Sequence, residues 1–256
     1  MRKNLTRVIS TVLLTGIIGV ASAYATPSTH IWAPSTDIQP YKVVHLTHDV
    51  YAPVSKDAAD GRVAPVINLG LEVGVLPFEK VNLEVGFDII QNGTDYDANP
   101  LYLNFKFGTP EDKLMKGAPA IAVGSYLIGT KSEGPTRSDA NVIYGKVAKT
   151  FGQFGKVSAG YYTGNDEVLS VVDNSGSETK NDGVMLCWEK TVSEISDKLW
   201  VAVDYMGGDN ALGTLNLGFA WSFTSNVSVI FGYDMLNNQD LTGVADTFTT
   251  QLDINF

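Results

Sequence analysis

The chain has 256 residues, a formal charge of −10 and one cysteine, Cys187. A lone cysteine excludes an intrachain disulfide framework and a cysteine-cluster metal site. The acidic balance lacks the basic footprint that phosphate binding requires, which argues against nucleic acid as a partner.

Residues 1–25 read as a secretory signal peptide. Arg2, Lys3 and Arg7 form a positive start, 8–20 is mostly apolar, and Ala21-Ser22-Ala23 and Ala23-Tyr24-Ala25 both fit an A-x-A cleavage pattern, so processing falls after Ala23 or Ala25. The apolar run is shorter than the roughly 17–25 residues of a spanning helix. Removing this segment, with three basic residues and no acidic one, takes the charge from −10 to −13. Residues 26–40 carry Pro27, Pro34 and Pro40 with His30 and Trp32. They read as an extended periplasmic lead-in or short plug, with Trp32 tucked into the barrel mouth, and a free tail is the alternative. No later stretch is long and apolar enough for a spanning helix, so any membrane residence has to come from strands.

From residue 41 to 256 the pattern is alternation with period two, the signature of strands with one apolar and one small polar face. The expected strands are 41–50, 63–75, 80–90, 99–107, 119–129, 140–150, 156–163, 183–191, 198–206, 212–223, 226–236 and 246–256. In the clearest of them Leu215, Leu217, Phe219, Trp221 and Phe223 oppose Thr214, Asn216, Gly218, Ala220 and Ser222. Residues 140–150 fit least well, because Lys146 and Lys149 fall on opposite faces. Connections at 76–79, 152–155 and 224–225 are short, whereas those at 52–62, 130–139 and 164–182 are long and polar. Two break this order: 108–118 is long where a short turn is expected, and 207–211 is short where a long loop is expected.

Alternation alone fits a soluble β-sandwich or lipocalin-like barrel with its apolar face inward. Here the apolar faces concentrate aromatics near strand ends (Phe107, Trp188, Tyr205, Trp221, Phe223, Tyr233), as expected where a barrel meets two lipid–water interfaces. The fold class expected is therefore all-β: a transmembrane antiparallel up-and-down barrel of about twelve strands, with ten or fourteen as alternatives. An even count puts both termini on one side.

The last strand carries the most specific pattern. In 247–256, TFTTQLDINF, the residues Phe248, Leu252, Ile254 and terminal Phe256 share one face. This resembles the β-signal of Gram-negative outer-membrane β-barrel proteins, and the whole of 41–256 resembles a porin-like, small channel-type barrel at the level of architecture. The resemblance implies recognition by the barrel-assembly machinery, insertion into outer-membrane lipid and periplasmic termini. Trimeric porins are usually larger, so a monomer is expected.

With the apolar face toward lipid, the other face lines the lumen. Glu72, Glu84, Asp88, Lys106, Glu189, Asp204, Asp234 and Asp253, together with His45 and Asp49, are the expected inward ionisable residues. Carboxylates in a narrow pore favour cations. The function expected is passive diffusion of small hydrophilic solutes, weakly cation-selective, without cofactor or catalysis. The alternative is a non-conducting structural or adhesion barrel or a housing for a partner protein, which inward Tyr102, Tyr126, Tyr162 and Trp200 would favour. A His45–Asp49 pair near one rim reads as a local hydrogen bond, not a catalytic base. His45 and His48 point to opposite faces of a strand and cannot share a metal. The acidic loop 164–182 has no EF-hand pattern. Cys187 reads as a lumen or packing residue.

Overall fold

The structure is a computed structural model. It describes residues 28–54, 64–92, 99–134, 137–170, 172, 176–239 and 245–256, so the proposed signal segment lies outside the described residues. Twelve strands follow one another in chain order: β1 (Val44–Pro53), β2 (Val66–Gly74), β3 (Asn82–Asn92), β4 (Leu101–Thr109), β5 (Ala120–Gly129), β6 (Val142–Thr150), β7 (Lys156–Thr163), β8 (Asp182–Thr191), β9 (Leu199–Met206), β10 (Thr214–Ser222), β11 (Val227–Leu236) and β12 (Thr247–Asn255). Each pairs antiparallel with its sequence neighbours, and β12 closes the ring onto β1, with His45 opposite Asn255 and Pro53 opposite Thr247. Closure leaves no unpaired sheet edge, which is what lets strands sit in hydrocarbon.

The registers turn the sequence alternation into an inside and an outside. Along β10, Asn216 and Ala220 are buried while Leu217 and Phe219 are exposed, and β4, β6 and β8 follow the same rule. Outer residues such as Phe105 (44 %), Ile143 (61 %) and Leu186 (50 %) expose large apolar surface, while inner residues include Glu84, Lys106, Asp204 and Asn216. This is the reverse of a water-soluble barrel, and it matches a surface solvated by lipid.

Both strand ends carry aromatic residues on the outside. Phe107, Trp188 and Trp221 lie at the end where β1 begins and β12 ends, with Phe223 and Phe256 just beyond their strands; Tyr161, Tyr205 and Tyr233 lie at the other end. Three of them have bonded polar atoms: Trp188 Nε1 donates to the Phe154 carbonyl at 2.7 Å, Tyr161 Oη to Asp182 at 2.6 Å and Tyr233 Oη to Asp246 at 3.3 Å. A ring with an apolar body and a satisfied polar tip suits an interface.

Val44 and Phe256 exchange backbone hydrogen bonds, so both ends of the barrel chain lie at one rim. Among the described residues, the connections 75–81, 110–119, 151–155, 192–198 and 223–226 lie at that rim, and 64–65, 99–100, 130–134, 137–141, 164–170, 176–181, 207–213, 237–239 and 245–246 lie at the other. The long turn 110–119 is folded back: Glu111 accepts from the Thr150 amide and hydroxyl and pairs with Lys149 at 2.7 Å. That explains the lysine that spoiled the pattern at 140–150. Lys149 is outward, yet its long side chain reaches the carboxylates of the rim. Loop 164–181 holds one helical turn, α1 (Asp166–Leu169), capped by Asn165, whose side chain accepts from the Glu167 amide.

One irregularity redirects side chains. The β4–β5 register shifts between Leu103 and Phe105, and Leu127 has φ 51°. A leucine in the left-handed region costs about 1–2 kcal/mol. The bulge lets the consecutive residues Tyr126 and Leu127 both pack against the inner cluster described below.

Candidate functional site

The lumen is occupied by the chain's own residues 28–40. Thr29 pairs with Pro34 in an antiparallel bridge, His30 N donates to Ala33 O at 2.8 Å and Ser35 N to Ser28 O at 3.0 Å. These bonds close a small hairpin whose tip is Ile31-Trp32. The chain then runs back to the terminal rim, where Tyr41 bridges Gly74 and Lys42 (φ 66°) bends it into β1. Trp32 meets Tyr51, near the loop end of β1, edge-on at 5.2 Å. The tryptophan expected at the mouth is thus carried deep into the barrel.

The wall holds this hairpin by many polar contacts. Asp204, fully buried, accepts from the successive amides of Ile31 (2.7 Å), Trp32 (3.1 Å) and Ala33 (3.3 Å), and from Asn216 Nδ2 at 2.6 Å. Gln251 donates to Ile31 O at 2.6 Å, and Lys146 to Pro34 O at 2.8 Å. Lys106 donates to the carbonyls of Ser28 and Asp37 and pairs with Glu84 at 3.1 Å. Glu84 also accepts from Gln39 N at 2.8 Å and from the Ser28 hydroxyl. Lys156 bridges Asp37 at 2.8 Å and Glu189 at 3.1 Å.

The wall is also shaped for the hairpin. Gly218 and Gly232 are paired on β10 and β11, and a Cβ on either would come 2.8 Å from Ile31. A Cβ on Gly74 would lie 2.0 Å from the Pro40 carbonyl. Above the hairpin, Tyr144, Tyr162, Met185 and Met206 from the wall pack with Leu169 of α1 and Leu212, and Ala33 joins them from below. Tyr162 donates to Gly207 O at 2.6 Å, tying this cluster to the loop rim. At the terminal rim, an open cavity of about 560 Å³ lies between turns 151–155 and 192–198, lined by Lys156, Glu189 and Trp200 among others.

A second sector of the wall, β1–β4 with β11 and β12, has few fixed counter-charges. Asp49 accepts from Thr47 at 2.6 Å and Asn68 at 3.2 Å; Asp88 accepts from Asn68 at 3.0 Å and Asn104 at 2.7 Å. Thr247 donates to Asp234 at 2.7 Å. His45 is bracketed by Asn255 (2.7 Å), Asp253 (3.3 Å) and Glu72 (4.0 Å). No hydroxyl nucleophile is among its described contacts, and its partner is Asp253 where sequence spacing pointed to Asp49. Among the described residues, one carboxylate oxygen each of Glu72, Asp234 and Asp253 has no hydrogen-bond donor.

All eight residues expected to line the lumen (Glu72, Glu84, Asp88, Lys106, Glu189, Asp204, Asp234 and Asp253) lie on the inner face. They fall into two groups: Glu84, Lys106, Glu189 and Asp204 contact the hairpin or its ion pairs, and the others line the second sector. Lys156, Gln251 and the glycine pair were not singled out as site residues by sequence. Their signal was available in their inward register positions, but not the hairpin they hold. Tyr102, Tyr126, Tyr162 and Trp200 are inward as well. Phe248, Leu252, Ile254 and Phe256 share the outer face at the β12 seam. Among the described residues no group of three or more His, Cys, Asp or Glu could hold a metal ion.

No family model matches the sequence, and no curated protein matches it. Among solved structures, the chain is similar to a KdgM porin, with TM-score 0.48 and 8 % identity over 84 % of this chain and 99 % of that one. It is similar to the NanC porin, with TM-score 0.47 and 8 % identity over 82 % and 98 % of the two chains. It is also similar to Salmonella typhi OmpF in complex with daunomycin, with TM-score 0.40 and 8 % identity over 84 % and 96 %.

Proposed function

We propose that this protein is a porin-like channel of a Gram-negative outer membrane, with periplasmic termini, that passes small hydrophilic solutes and favours cations. The observation that carries the reading is the pairing of an apolar outer belt with an inner wall of carboxylates, amides and lysines. Ionisable groups at membrane depth are costly, and they are kept where they line a path or bind what moves along it. The cation preference rests on the second sector: Asp49, Asp88 and Asp234 form no ion pair among the described residues, whereas Lys106, Lys146 and Lys156 are engaged by residues 28–40. A pore bordered by uncompensated carboxylates concentrates cations between low-dielectric walls.

A second reading, a non-conducting structural barrel, is favoured by the inner cluster of Tyr144, Tyr162, Met185 and Met206 near the loop rim. Flux separates the two. Liposomes carrying the refolded protein should admit small sugars and alkali cations faster than protein-free liposomes; identical rates from correctly folded wild type and Asp204→Asn alike would select the structural barrel.

A further inference from the structure

We infer that residues 28–40 are a built-in gate: a hairpin that closes the lumen from the terminal rim and opens it by withdrawing about the bend at Lys42. This rests on the channel reading above and adds what controls it.

The lumen is built around the hairpin. Gly218 and Gly232 leave a notch that takes Ile31, and Gly74 clears the Pro40 carbonyl. Asp204 presents one carboxylate to three consecutive amides at the hairpin tip. Lys106, Lys146 and Lys156, from β4, β6 and β7, converge on its carbonyls and on Asp37.

The same contacts show why the hairpin can leave. It adds no strand to the wall: Tyr41–Gly74, at its base, is the only bridge between it and the barrel among the described residues. Most of its bonds are hydrogen bonds and ion pairs, which water can replace at small net cost per bond. Among the described residues, His30 Nε2 and Thr36 Oγ1 are buried without a hydrogen-bond partner, so docking leaves polar atoms unsatisfied that solvent would satisfy. The apolar anchoring comes from Ile31, Trp32 and Ala33. At the base, Lys42 takes a left-handed conformation, a sharp bend between hairpin and β1, and the open cavity beside Lys156 and Glu189 lies at the rim through which the hairpin would retreat.

The test is a reversible tether in the full chain. Ile31→Cys with Gly232→Cys places two thiols at the notch, and Cys187→Ser leaves them as the only pair; a disulfide there needs Cβ atoms about 3.5–4.5 Å apart. Single-channel currents are recorded before and after reductant, with the crosslink verified by mass and the barrel by heat-modifiable migration. Loss of current when oxidised and its return on reduction are expected. Gly232→Ala, which crowds only the side chains of Ile31 and Thr249 at the closest distances, should lengthen open dwell times in an otherwise native chain. Equal currents from the oxidised and reduced tether would overturn the gate and leave the channel standing. Silence from wild type, reduced tether and Gly232→Ala alike would overturn the channel reading, and the gate with it.

Discussion

Replacing Asp204 by Asn should loosen the hairpin while leaving the barrel folded. The exchange keeps the shape and removes the charge. Asp204 makes two well-formed bonds to the hairpin, from Ile31 N at 2.7 Å and Trp32 N at 3.1 Å, and a longer one from Ala33 N at 3.3 Å. A hydrogen bond to a charged group contributes about 1.5–3 kcal/mol net, and a neutral one about 0.5–1.5 kcal/mol. The carboxamide can face its oxygen to only part of this set, and its NH2 then meets a donor, either a hairpin amide or Asn216 Nδ2. The loss comes to about 2–4 kcal/mol of docking free energy, a factor of roughly 30 to 1000 in the docked-to-free ratio at about 1.4 kcal/mol per tenfold. Hydrogen exchange of the 28–40 amides in detergent reads this directly. Protection there should fall while that of the β9–β10 ladder is kept. Unchanged protection across 28–40 would refute the role given to Asp204, and equal loss over the whole barrel would show a general folding defect instead.

Three further outcomes follow from the same geometry. Phe219→Arg puts a charge on the outer face, mid-strand, and should cost about 2–4 kcal/mol of folding free energy in a bilayer; full tolerance in urea titrations from liposomes would count against a lipid-facing Phe219. Deleting Phe256 should lower the amount of folded protein in outer-membrane fractions, and undiminished levels would remove it from the assembly signal. In loop 130–141, hydrogen bonding to Arg137 holds the Asp139 carboxyl below its ordinary value of 3.8. A depressed folded value means the pairing stabilises the loop above the unfolded value and loses that effect as pH falls through the folded one. Exchange protection of 137–141 should therefore drop as pH falls below about 3.8, and Arg137→Ala should abolish that pH dependence.

The strands were legible because period-two alternation survives wherever one face meets lipid and the other does not. Every expected strand appears within a few residues of its place, including 140–150, where Lys149 obeys the pattern by reaching the rim. Tyr126 and Leu127 show where the reading fails: a bulge sends neighbours the same way, and nothing local in the sequence marks it. The hairpin was less legible still. Residues 28–40 have no periodicity, and their partners lie far along the chain, with Ile31 and Asp204 separated by 173 positions. Gly218 and Gly232 read as ordinary members of a small polar face; only the fold shows that the space they leave is filled by Ile31. His45 was rightly placed inward, but register, not sequence spacing, gave it Asp253 as partner.

The most direct measurement is current through the refolded wild-type protein in a planar bilayer under a salt gradient. Discrete steps with a reversal potential shifted toward the cation equilibrium potential are expected, and Asp49→Asn with Asp88→Asn should reduce that shift. A correctly folded barrel that passes no current under any applied potential, even with Asp204→Asn, would contradict the claim that this lumen is a path.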